Sequence, residues 1–216
     1  MKPELVIFDC DGVLVDSEPI ANRILARMLN ELGLEISHDE TMRSFVGRSM
    51  PNCIEIIERR LGRSVPENFV EVYNTRSFDA FEQELLPVAG IEDALQRIQL
   101  PFCVASSASH EKMRTTLGAT GLLPRFLGRM FSATEVGRGK PDPALFLHAA
   151  KTMGGAAEAS VVVEDTVVGV QAARAAGMTA YAYSAAADDA LRAALRTEGA
   201  RLFDSMALLP ELLGDA

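Results

Sequence analysis

Apolar residues in this chain follow two rhythms. In ELVIF (4–8), FCVAS (102–106), ASVVVE (159–164), GMTAYAY (177–183) and ARLF (200–203) they run together in short blocks. Blocks of that length, bounded by turn residues, predict strands buried on both faces. Between them the apolar positions recur at helical spacing, predicting helices over about 90–98, 109–118, 142–153, 166–176, 188–197 and 205–213. Gly177 follows QAARAA as a helix stop. Strands alternating with helices predict βαβ units, hence an α/β fold with a doubly wound parallel sheet.

Residues 16–85 break that alternation. PIANRILARMLNELG (19–33) carries a helical stripe of Ile20, Ile24, Leu25, Met28, Leu29 and Leu32. The stretches 52–62 and 67–85 are helical by the same period, and Gly47, Pro51 and Pro66 interrupt the segment. No strand pattern occurs there. The expected organisation is an α/β core, 1–15 and 86–216, with a helical cap, 16–85, inserted after the first strand.

Composition narrows the function classes. The chain has 216 residues, 48% of them apolar, and a formal net charge of −9. Such acidity argues against a nucleic-acid surface, which needs basic patches. It also requires that an anionic substrate be drawn in locally, by a metal ion or a few placed cations. Cys10, Cys53 and Cys103 lie far apart without CxxC spacing, which suits a reducing compartment. The first twenty residues lack a signal-peptide pattern, and no apolar run is long enough to span a membrane. A soluble cytoplasmic protein, monomeric or weakly dimeric, is the expectation.

Four motifs carry chemistry. In VIFDCDGVLVDSE, Asp9 and Asp11 are two apart and so point to the same side of an extended chain. They would converge at the carboxyl end of the first strand, where open α/β sheets bind ligands. A hard cation such as Mg²⁺ would relieve their mutual repulsion; the plainer alternative is that Asp11-Gly12 is only a turn. In VASSAS (104–109) a strand ends in Ser106, and Ser107 and Ser109 lead into a helix. Those groups can hold an anion or simply cap the helix, with Ser109 as N-cap. In GRGKPDP (137–143), Pro141 biases Lys140 away from helix, and Asp142 and Pro143 suit the start of the next helix. Lys140 is then a point charge on a stiff turn or an ordinary surface lysine. In VVVEDTVVGVQAARAAG (161–177), Glu164 and Asp165 end a strand. Asp165 is either the cap of the following helix or, with Glu164, part of a metal site. All four motifs fall at predicted strand ends or adjoining loops on one edge of the sheet.

In that order, DxDGVLVDS, a strand ending in Ser, K-P-x-P, and E-D before xxxGxxAAxxAGM, the chain resembles the haloacid dehalogenase superfamily. It is most similar to the phosphatase and β-phosphoglucomutase branch with a small helical cap. The resemblance covers essentially the whole chain. It implies a Rossmann-like core with an inserted cap, and a Mg²⁺-dependent phosphoric monoester hydrolase. It implies that Asp9 is the nucleophile, forming a phosphoaspartyl intermediate, and that Asp11 is the general acid and then the base. It implies Mg²⁺ bound by the Asp9 carboxylate, the Asp11 backbone carbonyl and Asp165, with Glu164 acting through a water. Ser106 and Lys140 would hold the transferring phosphoryl oxygens, and Lys140 would also restrain Asp9.

Departures from sibling families narrow the chemistry. The phosphonate hydrolases use a cap lysine, whereas the lysines here are Lys2, Lys112, Lys140 and Lys151, none within 16–85. The dehalogenases lack the second aspartate, and Asp11 is present. The mutases carry a cap histidine where this chain has Ala21, and a cap arginine where it has Met50. Without those groups hydrolysis is favoured, with a phosphosugar mutase as the alternative. A receiver-like signalling domain or a non-catalytic binding protein ranks lower, since both aspartates of the first motif are retained. The expected substrate is a small phosphorylated metabolite, a sugar phosphate or phosphorylated sugar acid. Gly47, Arg48 and Ser49 form the expected specificity loop, joined by Arg76 and Ser107; for Arg48 and Arg76 a surface ion pair is the competing reading. His38, His110 and His148 have no ligand spacing and are expected at the surface or as caps.

Overall fold

A computed structural model describes residues 3–46 and 50–214. The chain divides into two compact units, Met1–Asp16 with Leu86–Ala216, and Ser17–Leu85.

The larger unit is built on a six-stranded, wholly parallel sheet. Its strands are β1 (Leu5–Phe8), β2 (Phe102–Ser106), β3 (Met130–Ser132), β4 (Ser160–Glu164), β5 (Thr179–Tyr183) and β6 (Arg201–Phe203). Their spatial order is β3-β2-β1-β4-β5-β6. The chain therefore starts in the centre, winds out through β2 and β3, and returns to place β4 on the other side of β1. The crevice between β1 and β4 is the topological switch point, where doubly wound sheets bind ligands.

The apolar blocks explain why these strands lie inside. Every residue of β1, β2 and β4 is buried. Alternate side chains serve opposite faces. Leu5 and Ile7 pack with Cys103, Ala105 and Val162 against the helices Ala144–Thr152 and Val167–Ala175. Phe8 meets Phe102 and Phe126 edge to face, with centroids 6.0 and 6.5 Å away.

The strands predicted from apolar blocks match β1, β2, β4, β5 and β6 to within two residues. The edge strand β3 was not anticipated, because its three residues, MFS, are too short to show a period. The helix expected over 205–213 is instead a 3₁₀ turn, Met206–Leu208, followed by the short helix Leu209–Leu212. Pro210 in the first turn of that helix has no N–H for a bond to the preceding turn. The helix after GRGKPDP begins at Ala144 rather than at Pro143, and Asp142 Oδ1 accepts a bond from the Ala144 N–H at 2.9 Å.

The smaller unit holds the helices Glu18–Glu31, His38–Phe45, Met50–Leu61 and Phe69–Glu84. Leu25, Leu29, Phe45, Ile57 and Phe69 form its core. The helix His38–Phe45 was not anticipated. Only Thr41 and Phe45 are buried in it, so it lacks an apolar stripe, and Ser37 sets its start by capping Glu40 N. Among the described residues no helix is long and apolar enough to cross a membrane.

Candidate active site

β1 and β4 run in register, with Phe8 opposite Val163, and Asp9 N donates to Val163 O at 2.9 Å. Asp9 and Glu164 therefore leave adjacent strands side by side at the switch point. Asp9, Glu164 and Asp165 each offer a carboxylate oxygen within 4.8 Å of the others. Lys140, 131 residues from Asp9 in sequence, reaches between them. Its Nζ donates to Asp9 Oδ1 at 2.6 Å and to Glu164 Oε1 at 2.5 Å, and lies 5.0 Å from the centroid of the Phe146 ring. The Lys140 side chain is only 4% exposed, so the surface-lysine reading fails.

Glu164 is fully buried and its second oxygen is also engaged. Oε2 accepts bonds from Asp165 N, Thr166 N and Thr166 Oγ1, each at 2.8 Å. Thr166, not Asp165, caps the helix Val167–Ala175, its Oγ1 accepting from Gly169 N at 3.1 Å. The capping reading for Asp165 is thereby removed, and its carboxylate faces the site. Glu164 holds Lys140 and the strand-to-helix turn directly through protein contacts.

Two glycines make room for these acids. Gly12 has φ +79°, and a Cβ there would sit 2.1 Å from Asp165 Oδ2. It closes a tight loop in which Gly12 N donates to Val15 O, while Leu14 N and Val15 N donate to Cys10 O. A Cβ on Gly169 would lie 1.8 Å from Glu164 Oε1. Alanine normally strengthens a helix over glycine by up to about 1 kcal/mol. Gly169→Ala is expected to do the reverse, lowering stability by about 1–3 kcal/mol through overpacking. Urea unfolding measures this; an unchanged or raised midpoint would show that Glu164 can retreat at no cost.

The electrostatics follow from burial. With protein groups alone around it, burial pushes the Asp9 carboxyl up to about 7, Lys140 pulling it down and Glu164 and Asp11 pushing it further up. Burial also works against charge on Glu164, yet Lys140 and Thr166 hold it below the usual carboxylate range. For Lys140 burial is likewise outweighed, and Asp9 and Glu164 hold it above the usual lysine value. One ammonium thus faces three carboxylates, an all-oxygen set suited to a hard divalent cation.

The other expected residues are placed as follows. Asp11 carries its carboxylate to Lys112, whose Nζ donates to Oδ2 at 2.9 Å. Asp11 is absent from the three-carboxylate cluster. Ser106 ends β2, nearly fully buried, and its Oγ accepts from Ala108 N at 3.1 Å. Ser109 caps the next helix through Lys112 N at 3.2 Å. Ser107 is exposed beside them. Arg76 donates to both oxygens of Glu31 at 2.8 Å, the exposed ion pair weighed for it as the alternative. Gly47, Arg48 and Ser49 lie outside the described residues.

Sequence reasoning missed Lys112, Thr166 and a hub on Glu135. Glu135 accepts from Ser132 N at 2.7 Å and pairs with His110 at 2.5 Å and His148 at 3.4 Å. Those contacts, with the Ser132 N–H, hold the Glu135 carboxyl below its usual range despite some burial. Ser132 Oγ donates to Ala108 O at 2.7 Å, so the end of β3 braces the loop behind Ser106. The one available signal was Lys112's place three residues after the Ser109 cap, on the same helix face.

A family model described as haloacid dehalogenase-like hydrolase matches residues 3–177. The chain is 36% identical over 183 residues to the 6-phosphogluconate phosphatase of Escherichia coli (strain K12), covering 84% of this chain and 83% of that one. Its fold is similar to a conserved haloacid dehalogenase-like protein from Agrobacterium tumefaciens str. C58. The TM-score is 0.87 and the identity 33%, over 98% of each chain. A HAD family hydrolase from Deinococcus radiodurans R1, solved with bound phosphate and sodium, gives a TM-score of 0.82 at 30% identity, over 99% of this chain and 96% of that one.

Proposed function

We propose, from the premise that this chain belongs to the haloacid dehalogenase-like hydrolases, that it is a phosphatase of a small phosphorylated metabolite, a sugar phosphate or phosphorylated sugar acid. The observation that carries the reading is the Lys140 ammonium buried between Asp9 and Glu164 at the switch point, beside Asp165. The relative named 6-phosphogluconate phosphatase supports the same substrate class, and the Deinococcus neighbour holds a phosphate.

Phosphoryl transfer needs positioning and charge stabilisation more than covalent activation. Asp9 attacks phosphorus and the phosphorus–oxygen bond to the metabolite breaks. The leaving oxygen takes a proton from Asp11, and a phosphoaspartate remains. Asp11 then takes a proton from water, whose oxygen attacks phosphorus, releasing inorganic phosphate and the Asp9 carboxylate. Lys140 and Ser106 steady the phosphoryl oxygens, and Glu164 keeps Lys140 in place.

The residues fit a divalent cation. Three carboxylates converge around the Lys140 ammonium, and the cradle against Asp165 exists only because Gly12 has no Cβ. Asp9 and Asp165 would hold Mg²⁺, with the Asp11 backbone carbonyl as the third protein ligand. When bound, Mg²⁺ supplies positive charge opposite Lys140 for the phosphoryl oxygens.

The test is hydrolysis of p-nitrophenyl phosphate and of a panel of phosphorylated metabolites, with protein freed of metal by chelation and then resupplied with Mg²⁺. One inorganic phosphate released per substrate consumed is expected, lost on chelation and restored by Mg²⁺. Isomerised sugar phosphate without phosphate release would instead establish a mutase. Binding of the cation to the folded state alone should also raise the melting temperature. At a hundred times Kd the stabilisation is about 2.7 kcal/mol. Full activity in chelator, or no thermal shift, overturns the metal assignment.

A further inference from the structure

We infer that Lys112 is a positioning residue that holds the Asp11 carboxylate clear of the metal cluster and aimed for proton transfer; this rests on the phosphatase reading above. The Lys112 and Asp11 side chains are 30% and 22% exposed, a half-buried pair rather than a loose surface contact. Their 101-residue separation in sequence is bridged by a helix tied down at several points. Ser109 Oγ accepts from Lys112 N at 3.2 Å, and Thr116 Oγ1 donates to Lys112 O at 3.0 Å. Thr116 Oγ1 also lies 3.8 Å from Cys10 Sγ, beside Asp11 in the chain. The same helix follows directly from the Ser106–Ser109 turn, so one rigid piece sets both Ser106 and Asp11.

The physical need is specific. A fourth carboxylate beside Asp9, Glu164 and Asp165 would be drawn onto a divalent cation and lost as a proton carrier. An ammonium on Oδ2 competes for it and fixes its rotation. Asp11 then stays out of the cluster, as observed.

Leaving-group dependence tests this. An alkyl oxygen must be protonated as it departs, whereas p-nitrophenolate leaves unassisted. Values of kcat/KM report the steps up to that departure and are blind to later hydrolysis of the phosphoaspartate. Lys112→Gln should lower kcat/KM for the best alkyl phosphate of the panel by about tenfold or more, and for p-nitrophenyl phosphate by less than about threefold. Lys112→Arg should restore most of the ratio. Equal losses on both substrates, or none, overturn the inference. Should Lys112→Gln prove unstable in thermal unfolding, Lys112→Arg decides: a ratio near wild type supports the inference, and a collapsed ratio overturns it. If the wild type hydrolyses neither substrate, the phosphatase reading fails instead, which keeps the two failures distinct.

Discussion

Asp9→Asn is expected to lower kcat by about 10⁴-fold or more on every phosphomonoester that the wild type hydrolyses, while the fold survives. The amide keeps the shape of the carboxylate and its place beside Lys140, but it has no anionic oxygen to attack phosphorus. Residual turnover above about one-hundredth of wild type would end the nucleophile assignment.

Stability should move the other way. Burial raises the Asp9 carboxyl from 3.8 to about 7 when only protein groups surround it. A carboxyl raised in the folded state binds its proton more tightly there than in the unfolded chain. It therefore opposes folding increasingly as pH climbs from about 4 to about 7, and the cost is constant above that. Asp9→Asn removes the cost. In chelator, the variant should gain on wild type across that interval in thermal unfolding. A gap that stays flat with pH would show that Lys140 fully compensates Asp9.

Lys140→Met should be the most disruptive single change to the site. It leaves two carboxylates buried together without a cation. Breaking a buried ion pair by removing one partner costs about 3–5 kcal/mol. Activity should fall below detection, since the restraint on Asp9 is gone and, under the proposed mechanism, so is the charge on the phosphoryl oxygens.

The pH dependence should also invert. In the wild type Glu164 is held below its ordinary value, so it stabilises the fold above about pH 4.5 and that support is lost as pH falls through its folded value. Without Lys140, burial dominates and acid should help the variant rather than harm it. Lys140→Met/Glu164→Gln removes one of the stranded charges and should recover part of the stability but none of the turnover. Denaturant unfolding of the two single variants and the double closes the cycle. A coupling near zero, below about 0.5 kcal/mol, would mean that the observed pair is not an energetic unit.

Much of this site was legible before any coordinates. Asp9, Ser106 and Glu164–Asp165 stand at the ends of apolar blocks, and a strand's end on a parallel sheet is a place rather than merely a residue type. Lys140 was ambiguous, because stiff flanking prolines fit both a surface turn and a buried charge. Lys112 drew no attention as a site residue, since one lysine in an amphipathic helix looks like solvent contact. Thr166 was hidden beside Asp165, itself the candidate for its capping role. β3 and the helix His38–Phe45 were missed because one is too short and the other too polar to show a period.

By itself the sequence determined the alternation of buried strands and helices, the helical insert, the acids and hydroxyl that stand at strand ends, and a lysine on a proline-rich loop. These depend on periodicity and turn chemistry, which act over a few residues. Only the tertiary structure decided which of those groups meet. Setting Phe8 opposite Val163 brings Asp9 beside Glu164, and Lys140 and Lys112 then reach partners 131 and 101 residues away. Such pairings follow from strand order and register, which many distant burial contacts fix together and no local pattern encodes.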